Sequence, residues 1–309
     1  MNSRRGIVLL AMIAAAACGP TNPPLMCAID MGSNSFRRIV GSFAEGRYVE
    51  AGIESRTMGV GDDVEKHGRI SDAKLAEIEE VLRAFVAACR QDGAAAPVAV
   101  GTAAFRNAPN GARAIEVATR AGVRMEIASE QRESELAYLV GSLGQPGHAV
   151  IDNGSRSIEL VAGNGNAIQH QVFNLGYRIA YEEFFARATD PAAAIAAFRE
   201  PLLAEAGRSP FMRGQSRLVG VEFMEMAEVL FAAVPDGHTY SLQELKDRLD
   251  AIASDPGGFT ALKRTENIDR ALPRLVVAVT FMESFGYTQL SLTSRQLGAG
   301  LIIEAGLRR

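Results

Sequence analysis

One six-residue frame, Asp-x-Gly-Ser-x-Ser, occurs twice, as Asp30-Met31-Gly32-Ser33-Asn34-Ser35 and as Asp152-Asn153-Gly154-Ser155-Arg156-Ser157. Each copy closes one apolar run and opens the next. Cys27-Ala28-Ile29-Asp30 leads into the first copy and Phe36 to Phe43 leaves it, while Ala149-Val150-Ile151-Asp152 leads into the second and Ser157 to Gly163 leaves it. Short apolar runs bounded by Gly-containing turns read as strands. A third run completes each set: Tyr48 to Ile53 in the first half, and Ala167 to Phe173 in the second, where Asn164-Gly165 supplies a hairpin turn. The same loop at the same point of two strand triplets restricts the chain to a duplicated fold.

The rest of each half follows the same order. Ser71 or Asp72 can cap a helix in which Leu75, Ile78, Leu82, Phe85 and Cys89 recur at helical spacing. Pro97 to Gly101 then reads as a strand, Gly111 to Ala121 as a helix, Val123 to Ala128 as a strand and Gln131 to Leu143 as a helix, giving β-β-β-α-β-α-β-α. In the second half Leu218 to Val221 matches the strand ending at Gly101. Leu290 to Thr293, preceded by a helical run from Pro273 to Phe285, matches the strand at Met125 to Ala128. At about 150 residues per domain, 309 residues predict two α/β domains, placed at 26–145 and 146–309.

Residues 1–25 stand apart. Ser3-Arg4-Arg5 is a positive start, Ile7 to Ala17 is apolar or small throughout, and Cys18 follows four alanines. The run is shorter than the roughly 20 residues a membrane span needs, so it reads as a signal or lipoprotein leader, followed by a Pro-rich tether over Gly19 to Pro24. Arg4-Arg5 weakly resembles a twin-arginine signal. The expectation is an exported protein, periplasmic or held at the membrane through a lipidated Cys18; the alternative is a cytoplasmic protein starting at Met26. Cys27 and Cys89 then remain, read by default as buried free thiols, with a disulfide as the alternative in an oxidising compartment. The scattered His67, His148, His170 and His238 have no zinc-ligand spacing. A net charge of -4 excludes a broad nucleic-acid footprint, which needs a basic face.

The duplicated loop carries the chemistry. A strand that turns through Asp-x-Gly-Ser-x-Ser straight into another strand brings backbone N–H groups, hydroxyls and a carboxylate to one tight bend. The N–H groups suit phosphate and the carboxylate suits a hydrated Mg²⁺. Two such loops facing each other across a cleft would clamp one phosphorylated anion from both sides.

These segments resemble the exopolyphosphatase/guanosine pentaphosphate phosphohydrolase (Ppx/GppA) family. Ala28 to Arg37 is similar to its opening signature, Gly101 to Ala108 to its second block, and Ser129 to Leu139 to the block holding the catalytic base. Val150 to Val161 is similar to its second phosphate loop, Asn174-Leu175-Gly176 to the segment after it, and Asp269 to Glu304 to its closing region. The resemblance implies an actin-like (ASKHA) duplication of two ribonuclease H-like domains with the active site in the cleft between them. Carried over residue by residue, it implies that Glu133 is the general base, that Asp152 and Glu159 hold Mg²⁺, and that Gly32, Ser33, Asn34, Ser35, Arg106, Gly154, Ser155 and Arg156 contact phosphate.

Three departures fall mainly in the second half. Gly154-Ser155-Arg156 stands where the family has three glycines, Gly220-Val221-Glu222-Phe223-Met224 replaces a Gly/Thr-rich loop, and Leu297-Gly298-Ala299-Gly300 lacks the family's charged pair. The expected function is Mg²⁺-dependent release of terminal phosphate from polyphosphate or guanosine pentaphosphate. The alternative is a non-catalytic phosphate- or polyanion-binding scaffold, in which Glu222-Phe223-Met224 would close one side of the cleft. A homodimer is left open.

Overall fold

The computed structural model describes residues 23–164, 167–231 and 237–309. The leader with Cys18 and the Gly165 part of the hairpin turn lie outside the described residues. The first half runs β1 (Met26–Met31), β2 (Ser35–Ala44), β3 (Arg47–Thr57), α1 (Val60–His67), α2 (Asp72–Gln91), β4 (Val98–Gly101), α3 (Ala103–Asn107), α4 (Ala112–Arg120), β5 (Arg124–Ile127) and α5 (Glu130–Ser142). The second runs β6 (His148–Asn153), β7 (Ile158–Asn164), β8 (Ala167–Phe173), α6 (Tyr177–Ala180), α7 (Pro191–Arg208), β9 (Arg217–Val221), α8 (Met224–Phe231), β10 (Thr239–Ser241), α9 (Leu242–Ala253), α10 (Pro256–Leu262), α11 (Ile268–Phe285), β11 (Gln289–Thr293) and α12 (Leu297–Leu307).

The duplication is explicit in the sheets. One has the order β3-β2-β1-β4-β5, and the other, followed from its far edge, β8-β7-β6-β9-β11 with β10 added. In both, the first three strands are antiparallel and the next two run parallel to the first. The strand register places Asp30 opposite Arg37 and Asp152 opposite Glu159, at the ends of strands where the loops begin. The fold is α/β, with two ribonuclease H-like halves in an actin-like arrangement.

Local chemistry explains the elements. Ser71 accepts a hydrogen bond from Lys74 N at the start of α2, whose Leu75, Ile78, Leu82, Phe85 and Cys89 are buried against the first sheet's core. Ser129 caps α5 in the same way through Arg132 N. Two short helices, α1 and α3, were not anticipated, and neither was the helical mass α6 to α10 of the second half. That half builds its core from α7, α8, α9 and the almost wholly buried α11.

The helices of the two halves are exchanged across the boundary. α5, from the first half, packs on β6, β7 and β9, while α12, the last element, packs on β1 and β2 and against α5. Leu136, Ala137, Leu301, Ile302 and Ile303 join the core that covers Ala28, Ile39 and Val100, and Tyr138, Val140 and Ala299 join Val150, Val161 and Val221. Each large aliphatic group buried there contributes roughly 1.5–3 kcal/mol. The glycines of Leu297-Gly298-Ala299-Gly300 permit this packing. A Cβ at Gly298 would lie 2.8 Å from Ile39 Cδ1, and one at Gly300 would lie 2.8 Å from the Leu136 carbonyl oxygen. Arg132 of α5 clamps Glu304 of α12 through paired hydrogen bonds of 2.8 and 2.9 Å.

Cys27 and Cys89 are joined in a disulfide, which corrects the expected free thiols. β1 and the end of α2 bring their Cα atoms to 6.0 Å, within the reach of such a bridge.

Candidate active site

A cleft of about 240 Å³ opens between the halves, lined by both copies of the duplicated loop. Gly32, Ser33, Asn34 and Ser35 face Gly154, Ser155, Arg156 and Ser157, with Asp30, Asp152, Glu159 and Glu133 between them. The site residues read from the sequence therefore share one cavity, save Arg106, which stands behind Glu133.

The loops are held by the same bonds. After β3 the chain turns into α1, and Gly59 N donates to Asn34 O at 2.9 Å and Gly61 N to Ser33 O at 2.8 Å. After β8 it turns into α6, and Gly176 N donates to Arg156 O at 3.0 Å and Arg178 N to Ser155 O at 3.1 Å. This buttress equates Gly59 with Gly176 and Gly61 with Arg178. Within the first loop Gly32 N donates to Ser35 O at 3.0 Å, so that N–H serves the turn and Gly32 contributes space rather than a donor.

The carboxylates are buried and crowded. Glu133, near the start of α5, accepts from Arg106 Nη1 at 2.8 Å, and Arg106 also donates to Ala128 O at 2.9 Å. Burial pushes the Glu133 carboxyl above the usual carboxylate range, against the opposing pull of Arg106. Asp152 and Glu159 are raised well above that range by burial first and then by neighbouring acids: Glu222, Glu133 and Asp30 act on Asp152, Glu133 and Asp152 on Glu159. Ser157 Oγ donates to Glu159. Asp30 is pushed up to about 7, mainly by burial, with Arg37 at 3.7 Å opposing and Glu222 adding to the rise.

Six carboxylates and three guanidinium groups line the cleft, a balance that repels an anion unless a cation enters with it. Asp152 Oδ1 is buried with no hydrogen-bond partner. Among the described residues no three Asp, Glu, His or Cys side chains converge on a single ion position. Mg²⁺ keeps several waters and uses one or two carboxylates plus substrate phosphate, so the all-oxygen set around Asp152 and Glu159 fits this ion.

The second wall departs from the sequence expectation in two ways. Arg156, read as a phosphate contact, stands at the cleft mouth with its guanidinium turned to α1, where Nη2 donates to Glu65 at 2.8 Å. Arg178 joins it by donating to Asp62 at 2.8 Å. Of Glu222-Phe223-Met224, only Glu222 enters the cleft; Phe223 is fully buried in the second core, and Met224 packs against that core. Glu222 accepts from Arg37 Nη1 at 2.8 Å, across the cleft.

Sequence reasoning missed three residues that line the cleft, Arg37, Tyr177 and Arg270, and the fully buried Arg274 beside them. Arg37 aligns with Asp30 in the strand register, and Arg270 and Arg274 lie one turn apart on α11. Tyr177 carries the Arg274 guanidinium 4.4 Å from its ring centre. The i, i+4 pair of arginines was the one signal available.

A family model described as the Ppx/GppA phosphatase family matches residues 51–234, more than half the chain. Among solved structures, the chain is similar to an Aquifex aeolicus member of the Ppx/GppA family. The TM-score is 0.79 and the identity 21%, over 92% of this chain and 99% of that one. It is also similar to an exopolyphosphatase from Cytophaga hutchinsonii, with a TM-score of 0.67 and 19% identity over 91% and 98% of the two chains. No curated protein matches it in sequence.

Proposed function

From the premise that the chain belongs to the Ppx/GppA phosphatase family and is a phosphohydrolase, we propose that it is a Mg²⁺-dependent phosphoanhydride hydrolase. It releases terminal phosphate from polyphosphate, with guanosine pentaphosphate the related alternative. The observation that carries this reading is the meeting of Glu133, Asp152, Glu159 and two copies of one phosphate-loop frame in a single cleft.

Phosphoryl transfer depends mainly on aligning the nucleophile and neutralising oxygen charge. The first loop, Ser33 to Ser35, is positioned to hold the terminal phosphate by hydroxyl and backbone donors. Glu133 takes a proton from the attacking water as oxygen bonds to the terminal phosphorus and the bond to the bridging oxygen breaks. A general base works best when its pKa lies near the operating pH, and burial moves Glu133 in that direction while Arg106 fixes its carboxylate. Asp152 and Glu159 would hold Mg²⁺, which supplies positive charge to the phosphate oxygens.

The test is phosphate release from polyphosphate with Mg²⁺ by wild type and Glu133→Gln. Release that the variant loses by orders of magnitude is the expected result. Equal silence of both proteins on polyphosphate and guanosine pentaphosphate removes the catalytic reading. One observation favours the non-catalytic, anion-binding reading instead, namely the Glu222 carboxylate that already stands between Arg37 of the cleft and the buried Arg274.

We also place the protein outside the cytoplasm, which favours polyphosphate over a cytosolic nucleotide. The Cys27–Cys89 disulfide supports this, since such bridges persist in oxidising compartments. The mass of the mature N-terminus tests both export and lipidation of Cys18; an unprocessed chain, or a start at Met26, removes the proposal.

A further inference from the structure

Glu222 follows β9 with a φ of 65°, in the left-handed region that a residue with a side chain seldom occupies. That backbone aims its carboxylate at guanidinium groups from both halves. Oε1 accepts from Arg37 Nη1 at 2.8 Å, and Oε2 lies 3.4 Å from Nη2 of Arg274, which is fully buried. A carboxylate and a phosphate group present the same paired oxygens to guanidinium.

We propose that Glu222 is a specificity-determining residue whose carboxylate occupies an anion subsite formed by Arg37 and Arg274. The cleft then accepts the terminal phosphate and refuses a further anionic group on that side. The inference rests on the hydrolase reading for its biological meaning, but its physical content is a statement about anion binding.

The surroundings bear it out. Arg37 lies on the strand that leaves the first loop, and its Nη1 is 3.7 Å from Asp30, so an anion held there would be continuous with one held by Ser33 to Ser35. Arg274 does not depend on Glu222 alone, because it donates to Glu225 at 2.8 Å and to Asn153 O at 3.2 Å and rests on the Tyr177 ring. Taking Glu222 away leaves Arg274 partnered and Arg37 with only the longer contact to Asp30. A glycine at 222 also accepts the φ of 65° without strain, so the subsite can be opened without disturbing the loop.

The test is calorimetric binding of inorganic tripolyphosphate and of orthophosphate, with Mg²⁺, to wild type, Glu222→Gly, Glu222→Gln and Glu222→Gly combined with Arg37→Met. Circular dichroism and thermal melting establish that each is folded. Glu222→Gly is expected to bind tripolyphosphate at least tenfold tighter, with orthophosphate within about twofold, as a second contact group demands. Glu222→Gln gives a smaller gain of the same kind, and Arg37→Met abolishes it.

No gain in tripolyphosphate affinity for folded Glu222→Gly overturns the proposal. So does an equal gain for orthophosphate, which marks a general loss of negative charge, or a gain that survives Arg37→Met. Phosphate release is followed in parallel. Silence of every protein there ends the hydrolase reading, while the binding series alone decides the role of Glu222.

Discussion

The loop after β1 and the loop after β6 start from the same six-residue frame and are buttressed by the same backbone hydrogen bonds, yet their side chains serve different ends. Asn34 and Gly61 of the first correspond to Arg156 and Arg178 of the second. The first loop stays small and faces the cleft. The second sends both arginines across the mouth to Glu65 and Asp62 of α1. Their paired glycines are also needed for different reasons. Gly59 has a φ of 57° with no backbone crowding it, whereas a Cβ at Gly176 would lie 2.5 Å from Gly154 O and 2.6 Å from Arg156 N. Duplication has preserved the backbone and freed the side chains, so that one half keeps a small loop on the cleft while the other fastens the halves together.

The asymmetry can be broken most decisively at Glu133. If the chemistry belongs to the first half, Glu133→Gln lowers phosphate release by about 10²–10⁴-fold with an unchanged thermal melt; retained activity would move the base elsewhere.

A slower gradient should appear with pH. Asp30 is held at about 7 in the folded chain, above its ordinary value of 3.8. Its contribution to stability is therefore complete below about pH 4 and is lost as the pH rises through 7. In the absence of divalent cations, chemical denaturation should show stability falling across that window, by at most about 1.4 kcal/mol per pH unit for this group. Asp30→Asn flattens the slope, and a slope that persists unchanged assigns it to the second half's Asp152 and Glu159.

The two glycines sharpen the comparison further. Thermal unfolding of Gly176→Ala should show a loss of about 1–3 kcal/mol from overpacking against the loop backbone, against about 1 kcal/mol for Gly59→Ala from its positive φ. Equal losses would mean that the loops are supported alike.

Smallest of all is Arg156→Ala. Its pair with Glu65 is solvent-exposed, with side-chain exposures of 36% and 70%, and such pairs contribute about 0–1 kcal/mol. KM for polyphosphate should stay within about fivefold, the range that energy allows. A larger rise in KM would return Arg156 to the phosphate site that its place in the frame first suggested.

Much of this was legible in the sequence because the frame is local. Asp30, Asp152 and Glu159 sit on or beside strands whose apolar runs announce themselves, and Ser71 marks a helix start. What escaped depended on partners distant in the chain. Nothing near Arg156 points to Glu65, and nothing in Glu222-Phe223-Met224 says that one side chain enters the cleft while the next is buried in the core. The glycines of Leu297 to Gly300 looked like the loss of a charged pair, although they let α12 lie close on β1 and α5. The segment β10, α9 and α10, inserted between α8 and α11, has no counterpart in the first half, so the repeat that guided the rest was silent there.

The exchange of α5 and α12 also sets an order of assembly. The apolar surface of β1 and β2 leaves the ribosome long before α12, the helix that covers it. A nascent chain ending anywhere before residue 297 exposes Ala28, Ile39 and the inner face of α5, so the first sheet cannot complete its core until α12 has been made. Closing that gap joins residues some 270 positions apart, a long loop of the kind that slows folding. Until α12 is in place, the surface of β1 and β2 is the part of the chain most in need of protection from aggregation.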